Sequence, residues 1–170
     1  WSSVGLSGQA GTAGINRENQ TFPKRSGHLK GKEIIDADEM IGTILAAVAD
    51  RKDPGFVITA RTDAAILLGV DEAIARAKAY LEAGADMVFP DAISSLEDIR
   101  RFTEAVPGPV SINMGLAIRQ RSTTPLVPFK TLEELGVARV TFPRLSTASA
   151  MVGMKNALAV VLEAYEAGTI

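Results

Sequence analysis

The chain has 170 residues, 46% of them apolar and 22% charged, with a net charge of −2, one histidine and no cysteine. That balance suits a single domain with an apolar core, and the slight negative charge offers no attraction to nucleic acid or to an anionic membrane surface. Disulfides and thiolate metal sites are excluded, no contiguous apolar run approaches the ~20 residues of a membrane helix, and a cytoplasmic location is the expectation.

In chain order, the Gly-rich opening GLSGQAGTAG (5–14) follows no strand and fits neither a dinucleotide fingerprint nor a phosphate loop. It reads as a helix end and a turn. TAGI (12–15) is a short apolar run leading into a loop that carries Glu18. Asp36 opens a helix to about Asp50, with Glu39 as capping-box partner and Met40, Ile41, Ile44, Leu45 and Val48 at helical spacing. GFVITA (55–60) reads as a buried strand closed by RTDA, and a helix from about Asp71 to Glu82 stops at Gly84. DMVFP (86–90) is the next strand. Ser94 or Ser95 caps a helix to about Ala105, and PGPVSINM turns into another strand. Thr131 and Glu134 form a capping box on a very short helix ended by Gly136, ARVTFP (138–143) is the last strand, and a long helix runs from about Ser146 to Ala167.

The strands are continuous apolar runs separated by helices, the pattern of a parallel sheet covered on both faces. The βα units recur about every 25–30 residues, and GADMVFP and GVARVTFP echo one another, which suits a (β/α)8 barrel of the TIM type. Five strands cannot close a barrel of eight. The expectation is therefore one partial α/β barrel domain over 1–170, supplying roughly the C-terminal five strands, with three more upstream.

Chemistry in such barrels gathers at the C-terminal strand ends. Those ends carry, in turn, Glu18 with Asn19, then Arg61, Thr62 and Asp63, then Asp91, then Ser111 and Asn113, then Arg144. Singly, each has a structural explanation: Arg61 and Asp63 as an ion pair, Asn113 as a loop cap. Together they suggest one site. Carboxylates, an arginine and amides suit Mg²⁺ and an anionic, oxygen-rich substrate. Zinc is disfavoured, because one histidine and no cysteine cannot supply its usual ligands. Beside Glu18 lies FPKRSGH (22–28), with two cations, a hydroxyl and the lone histidine.

AGI, EN-Q, PKRSGHL-GKEII, FVITARTDA, EAIARAKAYLEAGADMVFPDA, NM, TTPL and ELGVARVTFPR together resemble the isocitrate lyase/phosphoenolpyruvate mutase superfamily, in the family's order and over nearly the whole chain. The resemblance is to its shorter members, the methylisocitrate and dimethylmalate lyases and carboxyphosphonoenolpyruvate phosphonomutase. It implies a Mg²⁺-dependent barrel that forms homotetramers by exchanging C-terminal helices. It implies that Glu18 holds Mg²⁺ through water, that Lys24, Ser26, Gly27 and His28 belong to a gating loop, and that Arg61 steadies an oxyanion. Asp91 stands where the lyases usually carry glutamate, and Asn113 and Thr124 match groups that hold the distal carboxylate. The implied reaction is retro-aldol cleavage of a 2-hydroxy di- or tricarboxylate to a 2-oxo acid and a dicarboxylate. The alternatives are a phosphonomutase or 2-oxo-acid decarboxylase on the same barrel, or an inactive remnant acting in assembly. Three departures stand out: Ser26 replaces the cysteine that protonates the carbanion, the E-D-Q/K motif reads Glu18-Asn19-Gln20, and the aspartates that bind Mg²⁺ directly have no counterpart in these residues. A hydroxyl is a far weaker acid than a thiol, so Ser26 is expected to occupy the acid's place without doing its work.

Overall fold

The computed structural model describes residues 3–25, 31–114 and 124–170. Its elements follow in the order α1 (Ser3–Gln9), β1 (Gly14–Glu18), α2 (Ala37–Asp50), β2 (Val57–Thr62), α3 (Ala64–Leu68), α4 (Val70–Glu82), β3 (Met87–Pro90), α5 (Leu96–Ala105), β4 (Val110–Asn113), α6 (Phe129–Glu134), β5 (Val137–Thr141) and α7 (Leu145–Glu166). The strands form one sheet in sequence order, every neighbouring pair parallel. The expected five-stranded α/β arrangement is present.

Alternation along each strand divides the two faces. Ile58 and Ala60 of β2, Val88 of β3, and Val110 and Ile112 of β4 turn toward the helices and are buried. Ala60, Val88, Val110 and Ile112 pack with Met40 and Ile44 of α2, Ala73, Ala77 and Tyr80 of α4, and Ile99 and Phe102 of α5, while Ile58 packs with Val4, Ala47 and Phe56. Each large side chain buried there is worth about 1.5–3 kcal/mol relative to exposure, so the core lies between sheet and helices. The opposite face carries Glu18, Thr59, Arg61, Phe89, Ser111, Asn113 and Arg139, and the register sets Glu18 beside Arg61, and Arg61 beside Phe89. Polar groups are thus brought side by side on a frame whose stability comes from its other surface.

Local signals were realised unevenly. Ser95 caps α5 as expected: its hydroxyl accepts from the Asp98 N–H at 3.0 Å and donates to the Asp98 carboxylate at 2.8 Å, an arrangement worth about 1 kcal/mol. Asp36 precedes α2 but makes no side-chain cap bond, so the expected box with Glu39 does not form. Thr131 lies inside α6, whose cap position is Pro128, so that box also fails. Gly84 does end α4 at φ 100°, where the Gly84 and Ala85 N–H groups close back on Leu81 and Tyr80. The Gly-rich opening is a helix end and a turn, α1 followed by Gly11 at φ 80°. A Cβ on Gly14 would collide with the Val57 carbonyl, so β1 can lie against β2 only with glycine there. β1 also runs later than TAGI suggested, making Glu18 the last strand residue instead of a loop residue.

The long C-terminal helix expected from about Ser146 to Ala167 is present as α7, Leu145–Glu166. None of α7 is buried, and Met151, Val152, Met154, Leu158, Val161 and Leu162 are all more than half exposed. By length and composition alone it could cross a membrane, although Lys155, Asn156 and Glu163 interrupt any contiguous apolar run.

Candidate active site

Arg61 is the centre of the cluster. Directly after the buried run of β2, its guanidinium leaves the sheet at a strand end. Nε lies 3.1 Å from Asp63 Oδ2 and 3.3 Å from Glu18 Oε2, while Nη2 lies 3.1 Å from Asp63 Oδ1 and 2.7 Å from Asp91 Oδ2. Its carbon stands 5.5 Å from the Phe89 ring centre, close enough for cation–π attraction. Burial alone would lower the Arg61 pKa, but Asp63, Asp91 and Glu18 outweigh it and hold the group above its ordinary value. Burial likewise pushes the Asp63 carboxyl up, and Arg61 with Lys32 more than reverses this, holding it below the usual carboxylate range.

The neighbours are fixed in turn. Glu18 accepts from Lys24 Nζ at 2.9 Å. The Asp91 carboxylate accepts from the Asn113 side-chain amide at 3.2 Å, and the Asp91 backbone N–H donates to the Thr62 carbonyl at 3.0 Å. Buried Asn19 braces the end of β2, donating to Thr62 Oγ1 at 3.2 Å and accepting the Asp63 N–H at 3.1 Å. Four buried side-chain atoms lack a hydrogen-bond partner among the described residues: Gln20 Nε2, Tyr80 Oη, and the pair Asn113 Oδ1 and Thr124 Oγ1. Such groups are costly unless something completes them. Asn113 and Thr124 are among the residues singled out from the sequence as substrate-holding.

Of the sequence candidates, Glu18, Lys24, Arg61, Asp63, Asp91 and Asn113 meet in one connected network. Ser26, Gly27 and His28 lie outside the described residues. Ser111 accepts from Arg139 Nε at 2.9 Å, one layer below. Arg144 does not join the cluster; it is exposed at the start of α7. Sequence reasoning overlooked Lys32, buried against Asp63 at 2.6 Å, and Phe89 under Arg61. In the sequence Lys32 stands between Lys30 and Glu33, a run that reads as a solvated surface and gives no signal of burial.

The described residues hold no group of three or more His, Asp or Glu side chains placed to bind a metal ion. Glu18 is the acid that could contribute to such a site, and its oxygens already face two cations. What the arrangement offers by itself is a cationic fork beside a carboxylate-bound amide, donors that could meet an oxygen-rich anion.

A family model described as phosphoenolpyruvate phosphomutase matches residues 2–162. The chain is 46% identical over 155 residues to the "Probable 2-methylisocitrate lyase 1" of Corynebacterium glutamicum, covering 91% of this chain and 50% of that protein. Among solved structures, 2,3-dimethylmalate lyase superposes with a TM-score of 0.86 at 31% identity, covering 94% of this chain and 53% of the other. A phosphonopyruvate hydrolase crystallised with oxalate and Mg²⁺ superposes with a TM-score of 0.78 at 29% identity, covering 95% and 54%. The chain thus spans about half the length of the proteins it matches.

Proposed function

Because the chain belongs to the phosphoenolpyruvate phosphomutase family, within the phosphoenolpyruvate mutase/isocitrate lyase superfamily, we propose that it serves a carbon–carbon bond lyase acting on a 2-hydroxy di- or tricarboxylate of the methylisocitrate or dimethylmalate type. The observation that carries this reading is the placing of Arg61 between Glu18 and Asp91 at adjoining strand ends. The Asn113 amide is held beside it on Asp91.

In the proposed reaction the substrate's 2-hydroxyl loses its proton and the adjacent C–C bond breaks. The oxygen becomes the carbonyl of a 2-oxo acid, the electron pair stays on the departing carboxylate fragment (a dicarboxylate when the substrate is a tricarboxylate), and a proton completes it. Arg61 meets negative charge as it develops; a preorganised donor of that kind does this without rearranging. Asn113 and Thr124 hold the distal carboxylate. Asp91 keeps the Asn113 amide and the Arg61 fork in register. Lys24, Gly27 and His28, with Ser26 in the acid's position, belong to the segment that closes over the substrate. Mg²⁺ is the proposed cofactor, and when bound it would acidify the substrate hydroxyl. Glu18 would hold it through water, with the direct ligands supplied by strands beyond these 170 residues, since the described ones lack a three-ligand group.

The same reading makes the protein a cytoplasmic homotetramer exchanging C-terminal helices, which is supported by the unburied apolar surface of α7. Ser26 in place of cysteine favours the alternative readings, a phosphonomutase, C–P hydrolase or 2-oxo-acid decarboxylase on the same barrel. The test is turnover of methylisocitrate, dimethylmalate and phosphonopyruvate by the natural full-length protein with Mg²⁺. Release of a 2-oxo acid from the hydroxy acids supports the lyase, and cleavage of phosphonopyruvate alone replaces it.

A further inference from the structure

Lys32 and Asp63 are the most deeply buried charges near the site, with side chains 1% and 0% exposed and Nζ 2.6 Å from Oδ1. The proposed reaction uses neither. Nor does stability account for them, since a well-packed apolar pair generally serves a core as well as a buried ion pair does. Their geometry points elsewhere. Asp63 Oδ1 is shared between Lys32 Nζ at 2.6 Å and Arg61 Nη2 at 3.1 Å, while Oδ2 takes Arg61 Nε at 3.1 Å. Three side-chain bonds therefore fix the carboxylate plane, and Asn19 holds the Asp63 backbone.

We propose that Lys32 is a positioning residue for Arg61, acting through Asp63; this rests on the reading of Arg61 as the group that meets developing charge. Two effects combine. With its plane fixed, the carboxylate sets the plane of the guanidinium that grips it at two points. Lys32 also shares the negative charge of Asp63, so that Arg61 is not wholly neutralised by its own anchor. Glu18, Asp63 and Asp91 are matched by Lys24, Lys32 and Arg61, and removing Lys32 would leave the cluster one charge negative toward an incoming anion. The lysine is held by backbone as well: Gln20 and Ile34 form an antiparallel bridge, with Thr21 N–H on Glu33 O and Ile35 N–H on Asn19 O. Its anchor thus comes from the segment that returns to the sheet after Lys24.

The test uses the natural full-length protein. Lys32→Gln keeps a donor within reach of Asp63 but removes the charge, and Lys32→Arg keeps the charge. In Lys32→Gln, kcat/KM is expected to fall at least tenfold, and the Arg61 Nε–Hε proton, followed by nitrogen-15 NMR, to exchange with solvent at least tenfold faster. Lys32→Arg should recover most of both. A parental kcat/KM or a parental exchange rate in folded Lys32→Gln overturns the proposal, whatever happens to the melting temperature. Should Lys32→Gln fail to fold, Lys32→Met paired with Asp63→Asn removes both buried charges together. The same tenfold loss is expected there, and parental turnover overturns the proposal. If the parent protein proves to have no lyase activity, the reaction proposed above fails, and the Arg61 exchange rate still decides the role of Lys32.

Discussion

Arg61→Lys separates chemistry from stability at the centre of the site. The guanidinium reaches Asp63 through two nitrogens at 3.1 Å and Asp91 through Nη2 at 2.7 Å. A lysine ammonium is a single point, so it can stay with Asp63 or Asp91 but cannot reproduce the fork. Asp63 keeps Lys32 in either case, and Asp91 keeps the Asn113 amide. The stability cost is then the charge-assisted hydrogen bonds of the fork that are lost, about 1.5–3 kcal/mol each. The transition state loses a positioned donor, worth about 10²–10³ in kcat. Turnover of the natural full-length protein is read as 2-oxo acid released, and stability from urea unfolding of the same preparation. A kcat within threefold of the parent, beside a clear loss of unfolding free energy, would refute the reasoning and leave Arg61 a structural cation. Arg61→Ala is a poorer probe, because breaking a buried pair outright costs about 3–5 kcal/mol and confuses the two effects.

Ser26→Cys should raise lyase turnover, since acid catalysis by a positioned group contributes about 10²–10⁴-fold; KM should hardly change, and no gain with substrate bound would favour the phosphonomutase or decarboxylase alternatives. Calorimetry on the 170-residue chain should show weak Mg²⁺ binding or none, because Glu18 alone cannot supply octahedral oxygen coordination; tight binding would mean that the ligands are misassigned. Asp63 has its pKa depressed in the folded protein, so its stabilisation is complete above the ordinary aspartate value of about 4 and is lost as pH falls below it. Urea unfolding across that range should show a shallower acid decline for Asp63→Asn than for the parent, and equal slopes would remove Asp63 from the acid-labile set.

The alternation of apolar strands with helices made the sheet legible, because that pattern records the large term, burial between β2, β3 and β4 and the helices α2, α4 and α5. Smaller terms were less so. Asp36 and Thr131 carry cap chemistry in their side chains, yet neither caps its helix: Asp36 makes no side-chain cap bond, and Thr131 lies inside α6 behind Pro128. α3 was overlooked because AAILL is too short to show a helical period, and its Ile66, Leu67 and Leu68 remain partly exposed. The absence of burial along α7 could not be read at all: composition reports what a helix could cover, not what covers it.

At the site, the order of polar strand ends identified the participants but not their pairings. Glu18, Asp63 and Asp91 look in sequence like three carboxylates available to a cation. Asp63 is buried beneath Arg61 and Lys32, Asp91 is bound to Arg61 and Asn113, and Glu18 faces Lys24. Their charges are already matched within the network, so an anion entering beside Arg61 competes with Glu18 at 3.3 Å more readily than with Asp63, which is doubly bound and wholly buried. Glu18 is the partner that can yield: it is held by a half-exposed lysine and by the longest of the Arg61 contacts. Binding of substrate would then free the Glu18 carboxylate at the moment Arg61 turns to the anion. One strand-end exchange would both vacate the guanidinium and supply the acid that the proposed metal requires.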